Sequence, residues 1–224
     1  MKYTVQSINN YCDFAEDKAY VLMLIPRKKE NGENTEKDKL GLLQRKVVRN
    51  EAEVVDAIEY FESFTSRYPE FVFRLYCNVN RRDLVKGMFS VQDKIGRMVK
   101  DMHYGNVEVF DRLVKFSSQI KSALCEKACR DEKYFHFDVD FENNTEEGVR
   151  EHLELLARLE KLTLVKWVCE TLNGFAIITD PFNPYDLKKQ YDTKYKPKSA
   201  MDIHPLIEIK TDSYLYFGVY NYKG

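Results

Sequence analysis

Glycine is scarce in this 224-residue chain, nine in all, and none stands in a Gly-x-Gly-x-x-Gly or GxxxxGK[ST] arrangement. That excludes the phosphate cradles in which clustered glycines let backbone amides approach a nucleotide. There is likewise no GxSxG elbow and no HExxH helix, so those hydrolase and zinc-protease chemistries are excluded. Charge of one sign is missing too: 35 basic and 36 acidic residues leave a formal net charge of -1. No global basic field advertises a polyanion partner, and any such contact has to be a local patch. The five cysteines, Cys12, Cys77, Cys125, Cys129 and Cys169, include no CxxC and no Cys/His cluster at zinc spacing. Cys125 and Cys129 lie one helical turn apart, as small packing on a helix face or as a soft-metal pair. The N-terminal stretch lacks an apolar run of signal-peptide type, so reduced thiols in a cytoplasm are the expectation. The longest apolar run, residues 20–26, is far too short to span a bilayer, and no membrane partner is expected.

What is present is a chain with core-forming capacity: 44% hydrophobic and 13% aromatic residues, set in periodic segments. Strands are expected over 19–26 and 40–48, around a solvated loop at 27–39 that holds an Asn-Gly turn. Asn50 followed by Glu53 predicts a capped helix running to about Arg67, stopped by Pro69. A strand follows at 71–80, then helices over 82–101 and 106–129, and a strand at 133–141. Asn144 with Glu147 predicts the start of another helix. Residues 164–170 and 174–180 read as hairpin-linked strands, with the lone tryptophan, Trp167, in a core position. A turn and short helix come next, then a basic loop at 191–199. Residues 205–210 and 214–220 read as a closing hairpin. Mixed α+β with at least one antiparallel sheet follows from this order.

The stretch "KYFHFDVDF" carries the sharpest chemical signal. Phe135, Phe137, Val139 and Phe141 alternate with His136, Asp138 and Asp140, so one face is apolar and the other bears an imidazole and two carboxylates. Two carboxylates two residues apart on a strand can hold or bridge divalent cations, or they can be the wet side of an amphipathic strand; the spacing leaves both open. His136 on the same face reads either as a hydrogen-bonded sheet residue or as a ligand or base. Arg81, Arg82, Lys188, Lys189, Lys194, Lys196 and Lys198 are the candidate phosphate contacts. Around 188–198 the lysines interleave with Tyr185, Tyr191 and Tyr195, as in a single-strand groove, though plain solvated loops share that pattern.

The order of an Asp-x-Asp strand ("YFHFDVD"), a helix, a strand and then "NGFAIIT" resembles the archaeo-eukaryotic primase and primase-polymerase superfamily, of a phage or mobile-element type. The resemblance implies an RRM-like antiparallel sheet with helices, the metal-binding core at 131–224. An N-terminal α/β module with a helical connector at 1–130 would be fused to it, the two packed as one unit. It implies a nucleotidyltransferase in which Asp138, Asp140 and Glu208 (from "PLIE", with Asp212 and Asp202 as alternatives) hold two Mg2+ or Mn2+ ions, assisted by His136. Arg81, Arg82, Asn173, Lys188, Lys189 and Lys210 would contact nucleotide or nucleic acid. Nucleic acid and nucleoside triphosphates are the implied ligands, with a helicase or other replication protein as a further partner, in a cytoplasm that for a phage protein is the host's. Ala176 stands where that family has a histidine. The departure predicts weakened or absent activity, and the alternative is a non-catalytic protein of this fold that binds nucleic acid or a replication or host partner.

Overall fold

The computed structural model describes residues 2–32, 42–111, 116–172, 174–190 and 202–221. The chain is α+β with antiparallel sheets and divides into two compact units, one of residues 1–131 with 216–224 and one of residues 132–215.

In the first unit, β1 (Lys18–Pro26) pairs antiparallel with both β2 (Gln44–Val48) and β3 (Phe73–Asn78). The two-residue β4 (Arg82–Asp83) also pairs with β1. Helix α1 (Lys2–Tyr11) is an element that the sequence patterns did not predict. It buries Ile8, and its last residue donates the Tyr11 hydroxyl to the Val79 carbonyl at 2.7 Å. A single helical turn, α2 (Lys28–Asn31), succeeds β1. Helix α3 (Glu51–Ser66) starts where the capping residues placed it, with Asn50 Oδ1 accepting from the Glu53 amide at 2.9 Å. Its Val54, Ala57, Ile58, Phe61 and Phe64 share one core with Leu22, Leu24, Phe73 and Leu75. Five or more large apolar side chains fully removed from water, at about 1.5–3 kcal/mol each, make this core the main support of the unit. Helix α4 (Leu84–His103) is capped by Asp83 and packs against α5 (Phe116–Leu124). Of the predicted helix over 106–129, the described residues show a 3-10 turn at Val107–Val109, helical residues at 110–111, α5, and a second 3-10 turn at Lys127–Cys129.

The second unit is a sheet of order β6-β7-β5-β9-β8: β5 (Phe135–Val139), β6 (Val165–Glu170), β7 (Phe175–Thr179), β8 (Asp202–His204) and β9 (Ile207–Lys210). Helix α6 (Glu146–Glu160) contributes Leu155 and Leu159 to the core formed with Phe137, Val139, Phe175, Ile177, Ile207 and Ile209. Its N-cap is Thr145, accepting from the Gly148 amide, one residue later than predicted. Asn183 caps the short α7 (Pro184–Lys188). The expected β6–β7 hairpin is present.

The expected closing hairpin is not. β9 pairs with β5 and β8, whereas β10 (Tyr214–Tyr220) lies beside β3 in the sheet of the first unit. Side chains at the end of β10 account for this choice. Tyr220 and Phe217 enter the first core, and Asn221 donates to the carbonyls of Thr65, Tyr68 and Phe71, each at 3.1 Å, at the end of α3. The second module therefore ends at 215, and the last residues return to the first.

Two glycines set the close approaches around the end of β5. A Cβ on Gly174 would lie 2.1 Å from the Val139 carbonyl oxygen, and one on Gly148 would lie 2.0 Å from that of Glu142. Gly96, by contrast, sits in α4 with nothing within 4 Å of the added atom. Gly174→Ala is therefore expected to cost roughly 1–3 kcal/mol of stability through forced backbone movement. Gly96→Ala should instead stabilise by about 0.5–1 kcal/mol through helix propensity. Urea unfolding of both variants checks the pair; equal and small effects would contradict the close approach at Gly174.

Candidate functional site

Burying Phe137 and Val139 against α6 forces their neighbours His136 and Asp138 onto the opposite face of β5. The same alternation sends Ala176 of β7, and Glu208 and Lys210 of β9, to that face. The register then sets them in rows. Asp138 lies directly between Ala176 and Glu208, and the row continues to Cys169 on one side and, by backbone pairing, to Asp202 on the other. The adjacent row runs Trp167, Ile178, His136 and Lys210. Positions 138, 176 and 208, which the motifs single out on separate segments, are thus next-door neighbours on three adjacent strands. Asp140 lies one residue past β5, exposed, with its amide donating to the Leu206 carbonyl at 2.8 Å.

The face is not uniform. Ala176 and Ile178 are fully covered and His136 is 4% exposed, whereas the Glu208 side chain is 70% exposed. The β7 side is dry and the β9 side is wet. Lys210 bridges the carboxylates on the wet side: its Nζ lies 2.5 Å from Asp138 Oδ2 and 3.1 Å from Glu208 Oε2. A lysine is long enough to reach a diagonal cross-strand neighbour, and like charges set directly opposite in a sheet are unfavourable unless neutralised. Partial burial works against the charge of Lys210, but the hydrogen bond and charge of Asp138, and then those of Glu208, outweigh it. They hold its pKa above the ordinary lysine value.

His136 carries no such charge. Burial pushes its pKa down to about 4, with Asp138 pulling it up and Lys210 pushing it further down. Its Nδ1 lies 2.6 Å from the Ser213 hydroxyl, while Nε2 is buried with no hydrogen-bond partner among the described residues.

A divalent metal needs several hard oxygen donors converging on one point. Among the described residues no three or more His, Cys, Asp or Glu side chains are gathered to hold an ion. Asp138 and Glu208 do converge, but on the Lys210 ammonium. As arranged, the residues fit a monovalent protein cation and not a metal pair.

The remaining predicted residues are dispersed. Arg82 is 1% exposed, with its guanidinium donating to the Glu126 carbonyl at 3.2 Å, and Arg81 is ion-paired to Asp13 and Asp131 at 2.7 and 3.0 Å. Both belong to the first unit and serve its internal structure. Lys189 pairs with Asp186 at 3.2 Å, and Lys188 lies 5.7 Å from the Tyr185 ring centroid. Asn173, Lys194, Lys196, Lys198, Tyr191 and Tyr195 lie outside the described residues. Lys210, expected to contact nucleic acid, is ion-paired to Asp138 and Glu208. The resemblance had grouped Glu208 with Asp138, but Lys210 standing between them was not legible.

Two measurements test this geometry. Ala176 is 1% exposed, so Ala176→His forces a larger polar ring into a covered position and is expected to lower stability by roughly 1–3 kcal/mol instead of restoring a phosphate contact; urea unfolding reads it. The buried neutral His136 gives a pH signature. Its ordinary pKa of about 6.5 applies to the unfolded chain, so between there and about 4 the unfolded state binds the extra proton. Stability should fall as pH drops through that window, by up to about 3 kcal/mol from this group. The fall should be correspondingly smaller in His136→Asn; parallel curves for the two proteins would contradict it.

None of the described helices is long and apolar enough to cross a membrane. No family model matches the chain, and no curated protein or solved structure is significantly similar to it.

Proposed function

We propose that residues 132–215 form a primase-polymerase-like core and that the protein acts on nucleic acid with nucleotidyl transfer weakened or lost. One observation carries this reading. The segments "YFHFDVD", "NGFAIIT" and "PLIE" become adjacent antiparallel strands whose residues 176, 138 and 208 stand in a single row. The opposite face of the sheet packs on the intervening helix. The order of elements around that row is also the one on which the resemblance rests. Two features support the weakening: Ala176 is sealed under a dry surface, and Lys210 stands between the two carboxylates. The ligands on this reading are single-stranded or primed nucleic acid and nucleoside triphosphates, with Mg2+ or Mn2+ as the ion that the carboxylates would have to accept in place of Lys210.

A second reading, a non-catalytic protein of this fold that docks on a replication or host protein, is favoured by the surface of α4. Val85, Met88, Phe89 and Val99 are each more than half exposed along this helix, an apolar stripe of the kind that marks a protein contact.

Fluorescence anisotropy with labelled single-stranded and primed oligonucleotides, together with primer extension in Mn2+, tests the first reading. Binding is expected at low salt and should weaken steeply between about 50 and 200 mM. Extension should be slow at most and should vanish in Asp138→Ala with Asp140→Ala, while binding persists. No oligonucleotide binding at the lowest salt sinks the proposal in favour of the second reading.

A further inference from the structure

We infer that Lys210 is a built-in counter-cation that keeps divalent metal off the Asp138–Glu208 pair, so that the pair becomes a metal site only when the ammonium is removed. The inference rests on the primase-polymerase-like reading for the ion's identity, but the exclusion itself rests on geometry.

Asp138 and Glu208 are direct cross-strand neighbours on a face that is wet at this point. Two adjacent carboxylates on a sheet attract a cation from solution unless the protein supplies one. Here it does: Nζ of Lys210 is within hydrogen-bond distance of an oxygen of each. The ammonium lies where an ion bridging the two carboxylates would have to sit. A divalent ion beside it would meet a like charge at contact range, which makes the two occupants mutually exclusive. On the β5 side, nothing directly across from Lys210 invites it elsewhere. Its cross-strand partner is His136, which is buried and presents no anion. The imidazole Nε2 is buried and has no partner among the described residues.

Lys210 is 30% exposed, so its side chain can be changed without opening the core. Lys210→Met keeps the length of the stem and deletes the charge; Lys210→Arg keeps the charge. The experiment is Mn2+ titration of the purified full chain, read by the loss of free-ion EPR signal and by calorimetry, with circular dichroism melts to verify folding. Lys210→Met is expected to bind one Mn2+ at least about tenfold more tightly than the wild type, as removal of an opposing charge at contact distance predicts. Lys210→Arg should match the wild type, and adding Asp138→Asn to Lys210→Met should abolish the gain. Equal affinities in wild type and Lys210→Met overturn the inference, and so does a gain that survives loss of the Asp138 charge. These outcomes are separate from those of the oligonucleotide assay. A wild type that binds oligonucleotide while Lys210→Met gains no metal leaves the functional reading intact and removes only the lysine's role. A metal gain without any oligonucleotide binding does the reverse.

Discussion

The second unit depends on one constraint, the burial of a single face of β5. Phe137 and Val139 must meet Leu155 and Leu159 of α6, together with Phe175, Ile177, Ile207 and Ile209 from the neighbouring strands. Because the side-chain period of a strand is two, a slip of one residue would carry every one of these apolar groups to the other face. The core therefore fixes the register, and the register decides which polar residues stand together. Asp138, Glu208 and Lys210 are brought side by side by hydrophobic burial on the far face, with no need for attraction among themselves. Gly174 and Gly148 serve the same end by letting the backbone close on Val139 and Glu142.

Once the carboxylates are fixed side by side, something must neutralise them, and Lys210 does so from within the same strand as Glu208. An exposed ion pair contributes about 0–1 kcal/mol, so its effect on stability is small. Its effect on chemistry is larger, since it decides which cation the pair can accept. The covered side of the face tells the same story in another form. Ala176 is small and 1% exposed. Both features restrict what this face can bind: one side is covered, and the other carries its own cation.

Much of the architecture was legible from period alone. β5, β7 and α3 declare themselves through alternation or capping residues; Asn50 plays the part assigned to it, while the Glu53 carboxylate accepts from the Arg49 amide. The pairing of β10 was not legible. "YLYFGVY" has apolar residues on both of its faces, so its periodicity names no partner. The choice is made by Asn221, whose side-chain amide reaches three carbonyls more than 140 residues back along the chain. Helix α1 escaped notice because it is ten residues long and shows neither an acidic first turn nor a basic last one. Arg82 was misleading in a different way. An Arg-Arg pair reads as a surface feature, yet Arg82 is buried beneath Glu126 and near Cys77, a tertiary fact that no local pattern carries.

The candidate site shows why motif positions and motif chemistry have to be argued separately. The register unites positions 138, 176 and 208 whether or not they can react, because apolar residues on the opposite face set it. Chemistry depends on residues that the motif does not contain. Lys210 controls the charge of the pair, and His136, neutral and buried against Ser213, marks where the wet face turns dry. A sequence in which Asp138 and Glu208 are retained but Lys210 is not would keep this backbone unchanged and present a pair of carboxylates to solvent ions. Whether the carboxylate pair is neutralised from within the sheet thus depends on one side chain two residues beyond Glu208.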